Sequence, residues 1–154
     1  MEELGDLVRK HGRLVYRIAY SVLGNAADAE EVTQEVFLRA FRNLDSLRDT
    51  GKFRAWVARM SWRTAINHRR GWLRTLRRET AWHAISTPPA GQTELRLALR
   101  QQIARLPEKL RAVLLLSAIE GLESPEIAAI LEIPEGTVRS RLHLARRQLW
   151  EALT

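Results

Sequence analysis

The sequence predicts an all-α protein of two small helical domains joined by a flexible linker, the second a four-helix unit ending in a helix-turn-helix. Three observations predict it. Apolar residues recur at spacings of three and four through successive stretches, the period of an amphipathic helix. A stretch with two prolines and a glycine, STPPAGQT, cannot continue a helix and divides the pattern in two. Near the C-terminus, SPEIAAILEIPEGTVRSRLHLARRQLW reads as two short helices around a tight turn.

The first helix spans about 2–23, with Leu4, Leu7, Val8, His11, Leu14, Val15, Ile18 and Val22 on one stripe. Gly24-Asn25 stops it. His11 lies on the apolar stripe with no second ligand at helical spacing, so it reads as a packed histidine rather than a metal ligand. A second helix starts between Asn25 and Asp28 and runs to about Leu44, with Val32, Val36, Phe37, Ala40 and Leu44 inward. Asp28, Glu30, Glu31 and Glu35 gather near its N-terminus, where carboxylates favour the helix dipole. They lack a histidine partner, so a solvated or protein-docking face fits better than a metal or acid/base site.

Residues 45–51 read as a loop. A third helix follows over 52–70, with Phe53, Val57, Met60 and Ile66 toward the core. Trp56 and Trp62 interleave with Arg54, Arg59, Arg63, Arg69 and Arg70. Aromatic planes for base stacking, set among cations for phosphates, are what a single-stranded nucleic acid site needs. The plainer reading is core tryptophans and solvated arginines. Residues 71–93 read as a linker whose first half, GWLRTLRR, either extends the third helix or turns.

The second part opens with a helix over 94–105, with Leu95, Ala98, Leu99, Gln102 and Ile103 as its core stripe. Pro107 near the first position starts the next, with Leu110, Val113, Leu114 and Ser117 inward and Gly121 as its C-terminal stop. Ser124 is the expected N-cap of the third helix, with Pro125 behind it. In the last helix Val138, Leu142, Ala145 and Leu149 share the inner face, leaving Arg139, Ser140, His143, Arg146 and Arg147 in front. A major groove admits one helix, and Arg and Ser can reach base edges and phosphates from it. An ordinary helical hairpin with a solvated basic face is the bland alternative.

Charge supports a polyanionic partner. The 154 residues carry a formal +7, and the isoelectric point is about 10.9. The excess is segregated: residues 52–78 hold nine basic side chains and no acidic one. Glu120, Glu123, Glu126, Glu132 and Glu135 keep the non-reading side of the helix-turn-helix acidic. There is no cysteine, so disulfides and thiolate metal sites are excluded. No apolar run approaches the roughly 20 residues of a membrane span, and no signal-peptide pattern opens the chain. A soluble, cytoplasmic protein without membrane insertion and without cofactor is expected.

Residues 28–70 resemble region 2 of the extracytoplasmic-function (ECF) RNA polymerase sigma factors, and residues 94–154 resemble region 4. DAEEVTQEVFLRAFRNL is similar to the family's segment that docks on the polymerase clamp, FRAWVARMSWRTAINHRR to the one that opens and reads the −10 promoter element, and GTVRSRLHLARRQL to its −35 reading helix. The resemblance implies domains at 1–70 (region 2) and 94–154 (region 4), with 71–93 as linker. It implies that Asp28, Glu31, Gln34 and Glu35 meet core polymerase, and that Trp56, Arg59, Trp62, Arg63, Asn67 and Arg70 meet unpaired −10 DNA. It implies that Thr137, Arg139, Ser140, Arg141, His143, Arg146 and Arg147 serve the −35 duplex, while region 4 docks on the polymerase flap. The linker would pass near the polymerase active-site and RNA-exit channels.

The family also implies an anti-sigma factor that competes with core polymerase, near Gln34, Glu35 and residues 114–119. Arg63 stands where many members have Asn, Asn67 where many have Asp, Glu132 in place of a small turn residue, and Leu144 in place of a basic one. These departures leave the promoter sequence open. No catalytic constellation is expected. The alternative function is a stand-alone dimeric helix-turn-helix regulator, which would bind duplex DNA by itself with half-sites about one helical turn apart; a helical DNA-processing enzyme is weak, because the scattered histidines form no nucleophile or metal set.

Overall fold

The computed structural model describes residues 2–75 and 93–154, and these form seven α-helices in two units. Among the described residues there is no strand. Most of the expected linker, including Trp82, lies outside the described residues, as does the side chain of Trp72.

The first unit contains α1 (Glu2–Leu23), α2 (Ala26–Arg42) and α3 (Phe53–Thr75). Leu14, Val15, Ile18, Ala19 and Val22 of α1 are buried, as the stripe requires, but Val8 at one end of it is exposed. Gly24 ends α1 in the left-handed region, at φ 68°, and its N–H closes on the Tyr20 carbonyl at 2.8 Å. Asn25 then caps α2, its side chain accepting the N–H of Asp28 at 3.1 Å. α2 stops at Arg42, two residues before the expected end. Leu44–Ser46 and Thr50–Lys52 form short 3₁₀ turns within the expected loop. α3 continues five residues past the expected Arg70, so the first part of GWLRTLRR extends the helix.

The α3 face toward the core differs from the expected apolar stripe. Phe53 and Val57 are buried, but so are Ala58, Ser61, Thr64 and Ala65. Small side chains let helix backbones approach, and Ser61 Oγ donates to the Val15 carbonyl at 2.8 Å. That bond ties α1 to α3 and satisfies a fully buried hydroxyl.

The second unit contains α4 (Glu94–Arg105), α5 (Glu108–Ser117), α6 (Ser124–Leu131) and α7 (Glu135–Leu153). Leu106, Leu110 and Ala145 form a buried cluster, with Leu114 and Leu149 against it. Arg111 Nη1 holds the α4–α5 corner by donating to the carbonyls of Ala104 at 3.0 Å and Leu106 at 3.3 Å. Leu116, rather than Ser117, completes the buried face of α5 with Leu110 and Val113. On α4 no residue is fully buried, and Leu95, expected in the core, is 71% exposed.

Three expected caps shift. Pro107 sits at the N-cap position rather than inside α5. Gly121 has φ 89°, but α5 has already ended at Ser117, so this glycine serves the following turn. Glu123, not Ser124, occupies the N-cap of α6, and Ser124 begins the helix with Pro125. Pro tolerates either of the first two positions, because their N–H groups have no intrahelical acceptor.

Candidate nucleic-acid interface

The turn between α6 and α7 is made by Glu132, whose φ of 57° places it in the left-handed region. The N–H of Ile133 closes on the Ala128 carbonyl at 3.1 Å, which ends α6 sharply. Pro134 lies outside α7, and the N–H groups of Thr137 and Val138 donate to its carbonyl. Val138 and Ala145 are fully buried, and that fixes the rotation of α7. At 100° per residue, Arg139, His143 and Arg146 then stand in one outward row, with Ser140 and Arg147 beside them; all five are exposed. Thr137 and Arg141 are half-buried and lie on the flank next to the inner face. The expected reading residues therefore divide into a front of five and a flank of two.

Two front arginines are held by exposed carboxylates one turn away. Arg139 Nη1 donates to Glu135 Oε1 at 2.9 Å, so Glu135 stands on the reading side and not, as expected, on the opposite one; Arg147 Nε donates to Glu151 Oε1 at 3.2 Å. Such exposed pairs are worth about 0.3–0.5 kcal/mol each, so a stronger anion displaces them cheaply. Leu144 and Trp150 of α7 are also exposed, at 43% and 72%.

On α3 five of the six expected single-strand residues share one stripe: Trp56, Arg59, Arg63, Asn67 and Arg70 follow at steps of three and four. The stripe is about 21 Å long. Arg63, Asn67 and Arg70 are exposed, while Trp56 and Arg59 are half-buried. Trp56 stands edge-on to Phe53, with ring centroids 5.9 Å apart, and packs against the core. Trp62 sits apart from the stripe, half-buried against the same core. Both tryptophans thus have a body packed on the core and an accessible remainder.

On α2, Glu31 and Gln34 lie away from the buried Val32, Val36 and Ala40, while Asp28 and Glu35 lie on the flank nearer Val32. Glu31 and Gln34 are exposed. Glu35 is engaged within the unit: Oε1 accepts from Arg39 at 3.2 Å and Oε2 lies 3.1 Å from His68 Nε2 on α3. This carboxylate does have a histidine partner, contrary to expectation, because α3 brings one across from a distant part of the sequence. The sequence reading missed Leu38. It falls three residues after Glu35 and seven after Glu31, on the same face, and is 56% exposed. Its signal was a leucine off the apolar stripe. Among the described residues, no group of His, Asp or Glu side chains is arranged to hold a metal ion, and no helix is long and apolar enough to cross a membrane.

Comparison with known proteins matches both units. Residues 7–78 match the family model for sigma-70 region 2, and residues 96–149 that for sigma-70 region 4. The ECF RNA polymerase sigma factor SigE of Mycolicibacterium smegmatis is 36% identical over 99% of this chain, which spans 62% of that protein's length. SigW of Bacillus subtilis, also an ECF RNA polymerase sigma factor, is 30% identical, with 99% of this chain and 89% of SigW covered. Among solved structures, CnrH in complex with the cytosolic domain of CnrY is similar with a TM-score of 0.70 and 29% identity, over 97% of this chain and 86% of that one. The sigma factor RpoE of Bartonella quintana, in complex with the anti-sigma factor NepR, shares the fold with a TM-score of 0.73 at 18% identity, over 99% and 98% of the two chains.

Proposed function

This chain belongs to the ECF sigma factors of the sigma-70 family, with regions 2 and 4 in that order, and we propose on that premise that it directs core RNA polymerase to promoters by reading −35 duplex and unpaired −10 DNA. The observation that carries the proposal is the stripe of Trp56, Arg59, Arg63, Asn67 and Arg70 on a helix of the region 2 unit, in a chain whose region 4 unit presents a second basic helix face. A stand-alone dimeric regulator would need only the second. In this reading domain 1–70 captures the unpaired −10 strand and domain 94–154 reads the duplex, with 71–93 spanning them.

Each face then has a role. Arg139 and Ser140, near the start of α7, contact −35 base edges, and Arg146 and Arg147 contact phosphates. Thr137 and Arg141, on the flank, support the helix or meet the polymerase flap. Asp28, Glu31 and Gln34 dock on the clamp, around Leu38 as an apolar centre; Glu35 contributes there while bracing α2 against α3. No catalytic step is assigned to the chain. Control then falls to an anti-sigma protein that covers these same faces; CnrH, to which this chain is similar, forms a complex with the cytosolic domain of CnrY.

The test is a titration of the labelled chain with core polymerase. Saturable binding by the wild-type chain, weakened by Glu31→Lys, is expected. Unchanged affinity in the variant would remove the acidic α2 face from the interface.

A further inference from the structure

The outward face of α1 is basic and aromatic. From Leu7 to Leu23 the helix carries Arg9, Lys10, Arg13 and Arg17 and no acidic residue. At 100° per residue, Arg9, Arg13, Tyr16, Arg17 and Tyr20 fall in one strip about 100° wide. It lies opposite the buried His11, Val15, Ile18 and Val22. Both tyrosines of the chain stand on this strip. Their rings stack, with centroids 6.0 Å apart and planes 25° from parallel. Tyr16 also packs against the core, so it braces Tyr20, which is 40% exposed. Arg13 is exposed, and Arg9 is paired with Asp6 on the preceding turn.

We propose that this face of α1 binds a single-stranded polynucleotide, with Tyr20 as a stacking plane for a base and Arg13 and Arg17 on the flanking phosphates. Charge and ring geometry choose the occupant together. An acidic protein surface would be met by the cations alone and gains nothing specific from stacked rings. A duplex hides its base faces. An unpaired strand offers both phosphates and open π-faces, and an aromatic ring already held by a neighbour loses little entropy on stacking. The inference rests on the reading of the chain as an initiation factor, which brings unpaired promoter DNA to this same three-helix unit. It adds a contact outside the α3 stripe, on a helix to which that reading gives no role in DNA binding.

The test uses the full chain, a fluorescent oligothymidine of roughly 20 nucleotides, and a duplex of equal length, both followed by anisotropy. Tyr20→Ala is expected to weaken oligothymidine binding about 5- to 150-fold, the range for losing one base–aromatic stack. Duplex binding is expected to stay unchanged, and Tyr20→Trp to restore the single strand. Arg13→Ala, at an exposed position, is expected to weaken the single-strand complex and lower its salt slope by about 0.7. The proposal is overturned if the wild-type chain does not bind oligothymidine, if Tyr20→Ala and Arg13→Ala both bind it as wild type does, or if Tyr20→Ala loses single strand and duplex alike. Initiation with core polymerase, measured in parallel, keeps the two readings apart. A chain that initiates but shows no effect of these substitutions refutes only the role of α1; one that does not initiate refutes the sigma reading whatever α1 binds.

Discussion

His11 is buried on α1 with its ring 5.3 Å from that of Phe53, and its Nδ1 has no hydrogen-bond partner among the described residues. Burial, then the charges of Lys10 and Arg54, hold its pKa below the ordinary 6.5. The unfolded chain therefore takes up this proton more readily than the folded one. The stabilisation is complete above the unfolded value and is lost as pH falls through the lowered, folded one. Between about pH 7 and 5, the melting temperature of the wild-type chain should fall more steeply than that of His11→Phe. Parallel curves would show that this histidine does not set the acid limb. Glu132 gives a second prediction of the same scale. Its left-handed backbone suits glycine and disfavours a β-branched residue. Glu132→Gly should be more stable to denaturant than Glu132→Val by about 1–2 kcal/mol. Equal stabilities would mean that the turn relaxes out of that conformation.

At the scale of the helix, neighbouring carboxylates on α2 should separate. Glu31 is exposed, whereas Glu35 is held by Arg39 and His68. Glu31→Lys should reduce affinity for core polymerase with the melting temperature unchanged; Glu35→Lys should lower both. If both variants melt as wild type does, the link from α2 to α3 carries no stability. On α7, Arg139→Ala should cost about 1–3 kcal/mol of discrimination between a cognate and a scrambled −35 duplex. Arg147→Ala should weaken both duplexes alike and reduce the salt slope by about one unit. Equal loss on the two duplexes for Arg139→Ala would make its contact a phosphate contact too. The rotation of α7 was legible beforehand, since Val138, Leu142, Ala145 and Leu149 mark the inner face by size and spacing. The inner face of α3 was not, because Ser61 and Thr64 carry no apolar signal and Ala58 and Ala65 only a weak one, and their burial depends on how close α1 comes. Leu95 misled in the opposite direction: it fits the period of α4, but α4 buries no residue fully among the described ones. Ser124 and Pro125 marked the start of α6 within one residue, the usual slack where serine and proline both suit a first turn.

Across the whole molecule, the order of charge along the chain was the most informative feature of the sequence. Nine cations without an acid over 52–78, and a basic front on the last helix, pointed to two separate nucleic-acid contacts, and the two family matches fall on the two corresponding units. The basic and aromatic strip of α1 went unread, because its tyrosines come together only when the helix is wound. We propose that control lies in a protein that competes with core polymerase. Co-purification from the native host under non-inducing conditions should recover that competitor, and added core polymerase should displace it. Recovery of the chain only free or only on polymerase would place control in its synthesis or turnover. The central claim is tested most directly by mapping RNA 5′ ends made by core polymerase on host genomic DNA, with and without the purified chain. The expected result is a small set of discrete start sites that need the chain, and their loss with Arg139→Ala. Identical start sites with and without it, together with tight dimeric binding of the chain alone to duplex DNA, would contradict the sigma reading.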